Sequence, residues 1–202
     1  MQHRWVPVAK PNFGLVSIAL GVGNFSANSS IENPGGVNVT AQKPFYFNLR
    51  LRGELWLNSN WSVETQIRQG ILTVENPRSG SSPPEINIAT SKYALHGGYS
   101  LLIRDDFFGP KIQALFGFSQ YSMSVDNTSP IAFTSMTYRG LDLGLRGSFP
   151  LDPVGEWKLG AQLFLMLSPA MSEAPVTSGS SNTNTVNNYA VFGSKKLGER
   201  LE

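Results

Sequence analysis

One stretch constrains the fold of this chain more than any other: Phe45 to Asn58, which runs Phe-Tyr-Phe-Asn-Leu-Arg-Leu-Arg-Gly-Glu-Leu-Trp-Leu-Asn. A strand turns successive side chains to opposite faces, so at period two Phe45, Phe47, Leu49, Leu51, Leu55 and Leu57 share one face. Tyr46, Asn48, Arg50, Arg52, Glu54 and Trp56 share the other. One face is oily and the other charged. In a soluble barrel the oily face turns inward; in a membrane barrel it meets lipid and the charges line the lumen.

The same alternation recurs along the chain. Val16, Ile18, Leu20 and Val22 oppose the small Ser17, Ala19, Gly21 and Gly23, a pairing suited to a narrow barrel interior. Val63, Thr65, Ile67 and Ile71 oppose Glu64, Gln66, Arg68 and Leu72, while Tyr93, Leu95, Tyr99, Leu101 and Ile103 oppose Lys92, His96, Ser100 and Arg104. Ile112, Ala114, Phe116 and Phe118 oppose Lys111, Gln113, Gly117 and Ser119; Leu141, Leu143, Leu145 and Phe149 oppose Asp142, Gly144, Arg146 and Ser148. In a seventh strand, Trp157 to Leu167, the odd positions are apolar and Lys158, Gly160, Gln162 and Met166 oppose them; an eighth starts near Tyr189. Turn residues mark long loops at Ser26–Pro44, Asn76–Asn87, from Asp126, and at Ser172–Asn188, with short turns at Asn58–Asn60, Arg104–Pro110 and Pro150–Glu156.

Long and short connections therefore alternate, as they do in outer-membrane barrels with short periplasmic turns and longer extracellular loops. Trp56, Trp61, Phe107, Phe108, Phe149 and Trp157 all fall near the short-turn end, where an interfacial aromatic girdle is expected. On this alternation and these loop lengths, residues 13 to 196 resemble the small bacterial outer-membrane barrels of the OmpA, OmpX and OmpW type. That resemblance implies an all-β, up-and-down antiparallel transmembrane β-barrel of about eight strands in the bacterial outer membrane. The ending Lys-Leu-Gly-Glu-Arg-Leu-Glu departs from the terminal aromatic residue usual in those barrels.

Composition narrows the alternatives. In 202 residues no apolar run approaches the ~20 residues of a membrane helix, so a helical membrane protein is excluded. A net charge of +2 without a basic stripe gives no support to nucleic-acid binding. The lack of cysteine removes disulfides and thiolate metal sites. The chain reads as a single domain, 1–202, with a short extension over 1–12. Met1 to Pro7 holds no signal-peptide core: either the chain is not exported or Met1 stands where a signal has been removed, and the terminal Leu201-Glu202 favours the second. The adjacent Lys195 and Lys196 should lie near a membrane boundary, which leaves the last strand short and predicts native sequence after Arg200 or a partner at an open edge.

The inward residues Arg50, Arg52, Glu54, Glu64, Arg68, His96, Arg104, Asp142, Arg146 and Lys158 carry both signs inside the wall. Buried charges persist when paired, so a lumen-filling network is expected. His96 and Ser100 share a face, but their spacing along a strand is too long for a base to reach a nucleophile, and no Gly-x-Ser-x-Gly elbow exists, so no enzyme is expected. His3 and His96 are too sparse for a metal site, and no cofactor is implied. The expected role is structural or surface contact, with membrane lipid as one partner and a protein at the exposed loops or the C-terminal strand edge as another. A narrow channel for polar solutes and a soluble lipocalin-like barrel with inverted faces are the alternatives.

Overall fold

A computed structural model of the chain describes residues 14–31, 37–77, 80, 82–103, 109–129, 131–152, 157–175 and 185–195. They form eight strands: β1 (Gly14–Ile31), β2 (Val37–Trp56), β3 (Trp61–Glu75), β4 (Glu85–Leu102), β5 (Lys111–Val125), β6 (Ser135–Pro150), β7 (Trp157–Ala174) and β8 (Thr185–Lys195). Each pairs antiparallel with its neighbour in chain order, giving one up-and-down sheet curled around a lumen. Among the described residues no ladder joins β1 to β8, so the wall has a seam there.

The expected faces are present. Large apolar side chains stand exposed along every strand, Leu20 at 82% and Phe47 at 74%, while Glu64 at 0% and Asp142 at 2% are enclosed. Exposed apolar positions run from Leu141 to Phe149 on β6, Trp157 to Leu167 on β7 and Tyr93 to Leu101 on β4. These spans match the ~9 to 11 residues with which a tilted strand crosses a bilayer.

The strands themselves are longer than the belt, and here the expected loops need correction. Most of Ser26–Pro44 is strand, because β1 continues to Ile31 and β2 begins at Val37. Likewise β4 begins at Glu85, β7 continues to Ala174, and β8 begins at Thr185 rather than near Tyr189. With 11 residues, β8 is the shortest strand yet long enough to cross.

These extensions all rise at the long-loop end, where the outer face changes chemistry. Thr40 Oγ1 donates to Asn28 Oδ1 at 2.9 Å, Thr73 Oγ1 to Asn87 Oδ1 at 2.9 Å and Thr137 Oγ1 to Ser122 Oγ at 3.1 Å. Such cross-strand polar pairs favour pairing where no lipid is available to solvate an apolar face. Inside the same rim, Phe25, Val39, Ala41, Leu72, Val74, Ile86 and Ile88 form an apolar cluster with Ala132 and Phe133 folded in from the β5–β6 connection.

Two bulges interrupt the ladder near this rim, and the first brings β2 into the cluster. The β1–β2 register shifts between Gly23 and Phe25, where β2 carries an extra residue beside Pro44. Even positions of β2 face inward below the shift and odd positions above it, so Val39 and Ala41 enter the cluster and Asn38 and Thr40 turn outward. On β7 the shift lies at Ser168 and Pro169, with Ser168 at φ 45° and Pro169 fully buried. Proline lacks the N–H a ladder needs, so a bulge is where a strand can hold one.

Candidate functional site: the charged lumen

At the short-turn half of the lumen, the inward even positions of β2 and β3 face the inward positions of β5 to β7. Glu64 on β3 is the hub. It accepts hydrogen bonds from Arg52 Nε at 2.7 Å, from Arg146 Nη2 at 2.8 Å and from Arg146 Nη1. Arg52 also donates to Glu54, whose other oxygen receives Gln113 Nε2 at 2.9 Å. Arg146 donates further to Gln162 and to Gln113, each at 3.2 Å, and Gln113 Nε2 reaches Ser62 Oγ at 3.0 Å. Because Arg146 lies on β6 and Glu64 on β3, this bond spans the lumen from wall to wall.

A second group sits nearer the long-loop end. Asp142 lies 3.2 Å from His96 Nε2 and 3.5 Å from Lys92 Nζ. Phe164 closes this group from β7: its ring stacks on His96 at 4.9 Å, and Lys92 Nζ lies 4.5 Å from its centroid. His96 is thus held by Asp142 and Phe164. Ser100 lies elsewhere, its backbone N–H on the Asn60 carbonyl at 2.7 Å, so the two residues do not form a nucleophile and base.

The remaining cations are arranged differently. Arg50 lies directly opposite Arg68 across β2 and β3, and Arg68 directly opposite Lys92 across β3 and β4. Like charges placed opposite one another repel. Asp142 offsets Lys92, but among the described residues neither Arg50 nor Arg68 has a carboxylate within ion-pair distance; Arg50 lies 5.7 Å from the Phe192 ring of β8 instead. Lys158 faces inward at the short-turn mouth. Arg104 falls outside the described residues.

A cavity of about 530 Å³ opens beside this row. Its inner lining includes Arg50, Arg52, Glu54, Lys111, Arg146 and Lys158. Its other wall is the edge of β1 from Leu15 to Leu20, residues of both faces, with Phe192 to Lys195 of β8. The space therefore lies between the charged lumen wall and the facing edges of β1 and β8.

The aromatic residues of the short-turn end divide into two sets. Trp61, Phe149 and Trp157 are exposed on the outer face. Trp61 meets Tyr99 edge-on at 5.0 Å, and Lys195 Nζ lies over the Trp157 ring at 4.9 Å. Trp56 is a correction to the expected girdle: it shares the even, inward parity of Arg52 and Glu54 and lines the cavity. Phe107 and Phe108 fall outside the described residues. Three contributors were not among the residues expected in the network: Phe164, and Gln113 and Lys92, which the alternation already places on the inward face. Their inward parity on β7, β5 and β4 is the signal that finds them.

No protein family and no curated protein matches this sequence. Among solved structures, the chain is similar to Ail, the attachment invasion locus protein of Yersinia pestis, in its complex with the heparin analogue sucrose octasulfate. The TM-score is 0.42 and the identity 14%, over 90% of this chain and 99% of that one.

Proposed function

We propose that this chain is a bacterial outer-membrane β-barrel with a closed lumen and a role in structure or surface contact. One observation carries the reading: along the belt each strand presents exposed large apolar residues on one face, while Arg52, Glu54, Glu64, Lys92, Asp142 and Arg146 are enclosed on the other. Water cannot solvate such a surface economically, since burying apolar area is worth about 25 cal/mol per Å², whereas lipid can. A lipocalin-like barrel needs the opposite facing, with Leu49, Leu51 and Leu55 inside, and these three are exposed.

Against conduction stand two obstructions in series. The Glu64–Arg146 brace crosses the lumen at the short-turn half, and the cluster around Phe133 fills the other half. A barrel of about eight strands leaves room for side chains and little else. The polar rim above the belt, built from strands as long as 18 and 20 residues, favours contact with something outside the membrane. His96 and Ser100, set apart as they are, favour a protein without catalysis.

The test has two arms. The protein should require detergent to remain dispersed and should leave planar lipid bilayers electrically silent. Purification as a monodisperse species without detergent would overturn the membrane reading, and stable unitary conductance would replace the closed lumen with a channel.

A further inference from the structure

On three neighbouring strands the outer face changes chemistry within one step. The exposed apolar positions of β4, β5 and β6 end, toward the long loops, at Tyr93, Phe118 and Leu141. Two residues further on, β5 presents Gln120 and β6 presents Arg139, and beyond them Thr137 bonds Ser122. Side chains two apart share a face, so one continuous surface passes from apolar to polar within about 7 Å. The register sets its polar groups side by side. Tyr93 lies directly opposite Gln120, and Gln120 directly opposite Arg139. The row one step into the belt is Leu95, Phe118 and Leu141, all exposed, and Phe116 opposite Leu143 continues it.

Arg139 is exposed, and among the described residues no carboxylate lies within ion-pair distance of it. Its partner on β7 is Ala170, so that flank of the guanidinium is open. The nearest outer-face carboxylates on these strands, Glu75 and Glu85, face each other at the far ends of β3 and β4. A cation set just above an apolar belt stands at the depth of lipid headgroups, and its planar fork of N–H donors suits phosphate oxygens.

We propose that the outer face of β4 to β6 binds an anionic phospholipid of the leaflet on the long-loop side, its phosphate held by Arg139, Gln120 and Tyr93 and an acyl chain lying over Phe118, Leu141 and Leu143. The site rests on the membrane reading above and names the lipid that reading calls for. Arg139 supplies the charge and two parallel donors. Gln120 Nε2, which reaches Ser122 Oγ at 3.3 Å, has a second N–H; the Tyr93 hydroxyl accepts from Gln69 Nε2 at 3.4 Å and keeps its own proton to donate. A tyrosine at this depth has its ring in hydrocarbon and its hydroxyl among the headgroups. Lys43 is likewise exposed beside the end of the belt on β2, but its register partner is Phe25, so it is a cation without the donor row.

Native mass spectrometry of the detergent-released protein, incubated with phosphatidylglycerol, with phosphatidylcholine and with inorganic phosphate as competitor, tests this. Retention of phosphatidylglycerol should exceed that of phosphatidylcholine about fivefold, the ratio that one cation beside an anionic lipid surface supplies. Arg139→Gln should abolish the preference, Arg139→Lys should keep part of it, and Lys43→Gln should leave it unchanged. Equal retention of the two lipids by the wild-type chain, or an undiminished preference in Arg139→Gln, overturns the proposal. So does an equal fall in Lys43→Gln, which would mean diffuse attraction to any boundary cation, or displacement of phosphatidylglycerol by an equal concentration of inorganic phosphate, since the acyl chain would then contribute nothing. Should Arg139→Gln not fold, the wild-type lipid comparison together with Lys43→Gln decides. Absence of the preference in a protein that still requires detergent counts against this site only; dispersal without detergent counts against the membrane reading.

Discussion

Replacing Glu64 by glutamine tests the lumen network at its hub. The substitution preserves shape and removes one negative charge from a side chain that is fully enclosed. In the native protein that carboxylate holds Arg52 and Arg146 together, and Arg50 and Arg68 add two more guanidiniums to the same region. After the change, Glu54 alone faces four arginines there. The amide oxygen can keep one guanidinium donor, but its NH2 group turns donor toward donor against the other. Losing charge-assisted bonds worth about 1.5 to 3 kcal/mol each, two of them, gives about 3 to 6 kcal/mol. Mutations that break one partner of a buried pair cost about 3 to 5 kcal/mol, so the expected loss is in that range. Water entering through the seam cavity would pull it to the lower end. The assay is urea unfolding in lipid vesicles, followed by tryptophan emission and by mobility of the unheated protein on a gel. Combining Glu64→Gln with Arg146→Gln should cost less than the sum of the single changes by about 0.5 to 3 kcal/mol, because the two share one interaction. A Glu64→Gln protein within about 0.5 kcal/mol of wild type, the scatter of ordinary surface changes, would refute the network as a source of stability.

Three further outcomes are expected. Leu143→Arg, at mid-belt on β6 between Phe116 and Leu165, should destabilise the lipid-folded state by roughly 2 to 4 kcal/mol; unchanged unfolding in vesicles would mean that this face does not meet lipid. Gly144→Ala places a methyl group within 2.4 Å of the Phe164 ring, so Phe164 must shift from His96, at about 1 to 3 kcal/mol in the same unfolding assay. Ile86→Ala empties part of the rim cluster at a cost of about 2 to 5 kcal/mol, and limited proteolysis should then cut the strand extensions while the belt resists; equal protease resistance would mean the cluster does not hold the rim.

What could be read from the sequence was the belt, and the reason is physical. Between Phe45 and Leu57 every outward position save Gly53 is large and apolar and the inward ones are polar or charged, so period two survives any error in strand ends. Above the belt the same period is present but muted. Asn38, Thr40 and Gln42 face outward and Val39 and Ala41 inward, a contrast so small that the segment has the composition of a loop. The bulge beside Pro44 then reverses parity between the two halves of β2, which no single alternation can follow. The lumen charges were legible for the same reason as the belt, but their pairing was not. That Glu64 on β3 meets Arg146 on β6 depends on how the sheet curls, and Phe164 in an inward slot between Gln162 and Met166 is uninformative until His96 is found against it. Trp56 misled because its position near a turn outweighed its parity.

The two proline bulges, on β2 at Pro44 and on β7 at Pro169, have a consequence for how such a chain can change over time. A residue gained or lost above either bulge can be absorbed where the ladder is already out of step, so the phase of the belt below is preserved. Rim and belt are in this sense separately inheritable on those two strands, each of which lies one strand in from the seam. Whatever the rim contacts can therefore diversify, in length as well as in side chains, without asking the membrane-facing half of the protein to refold.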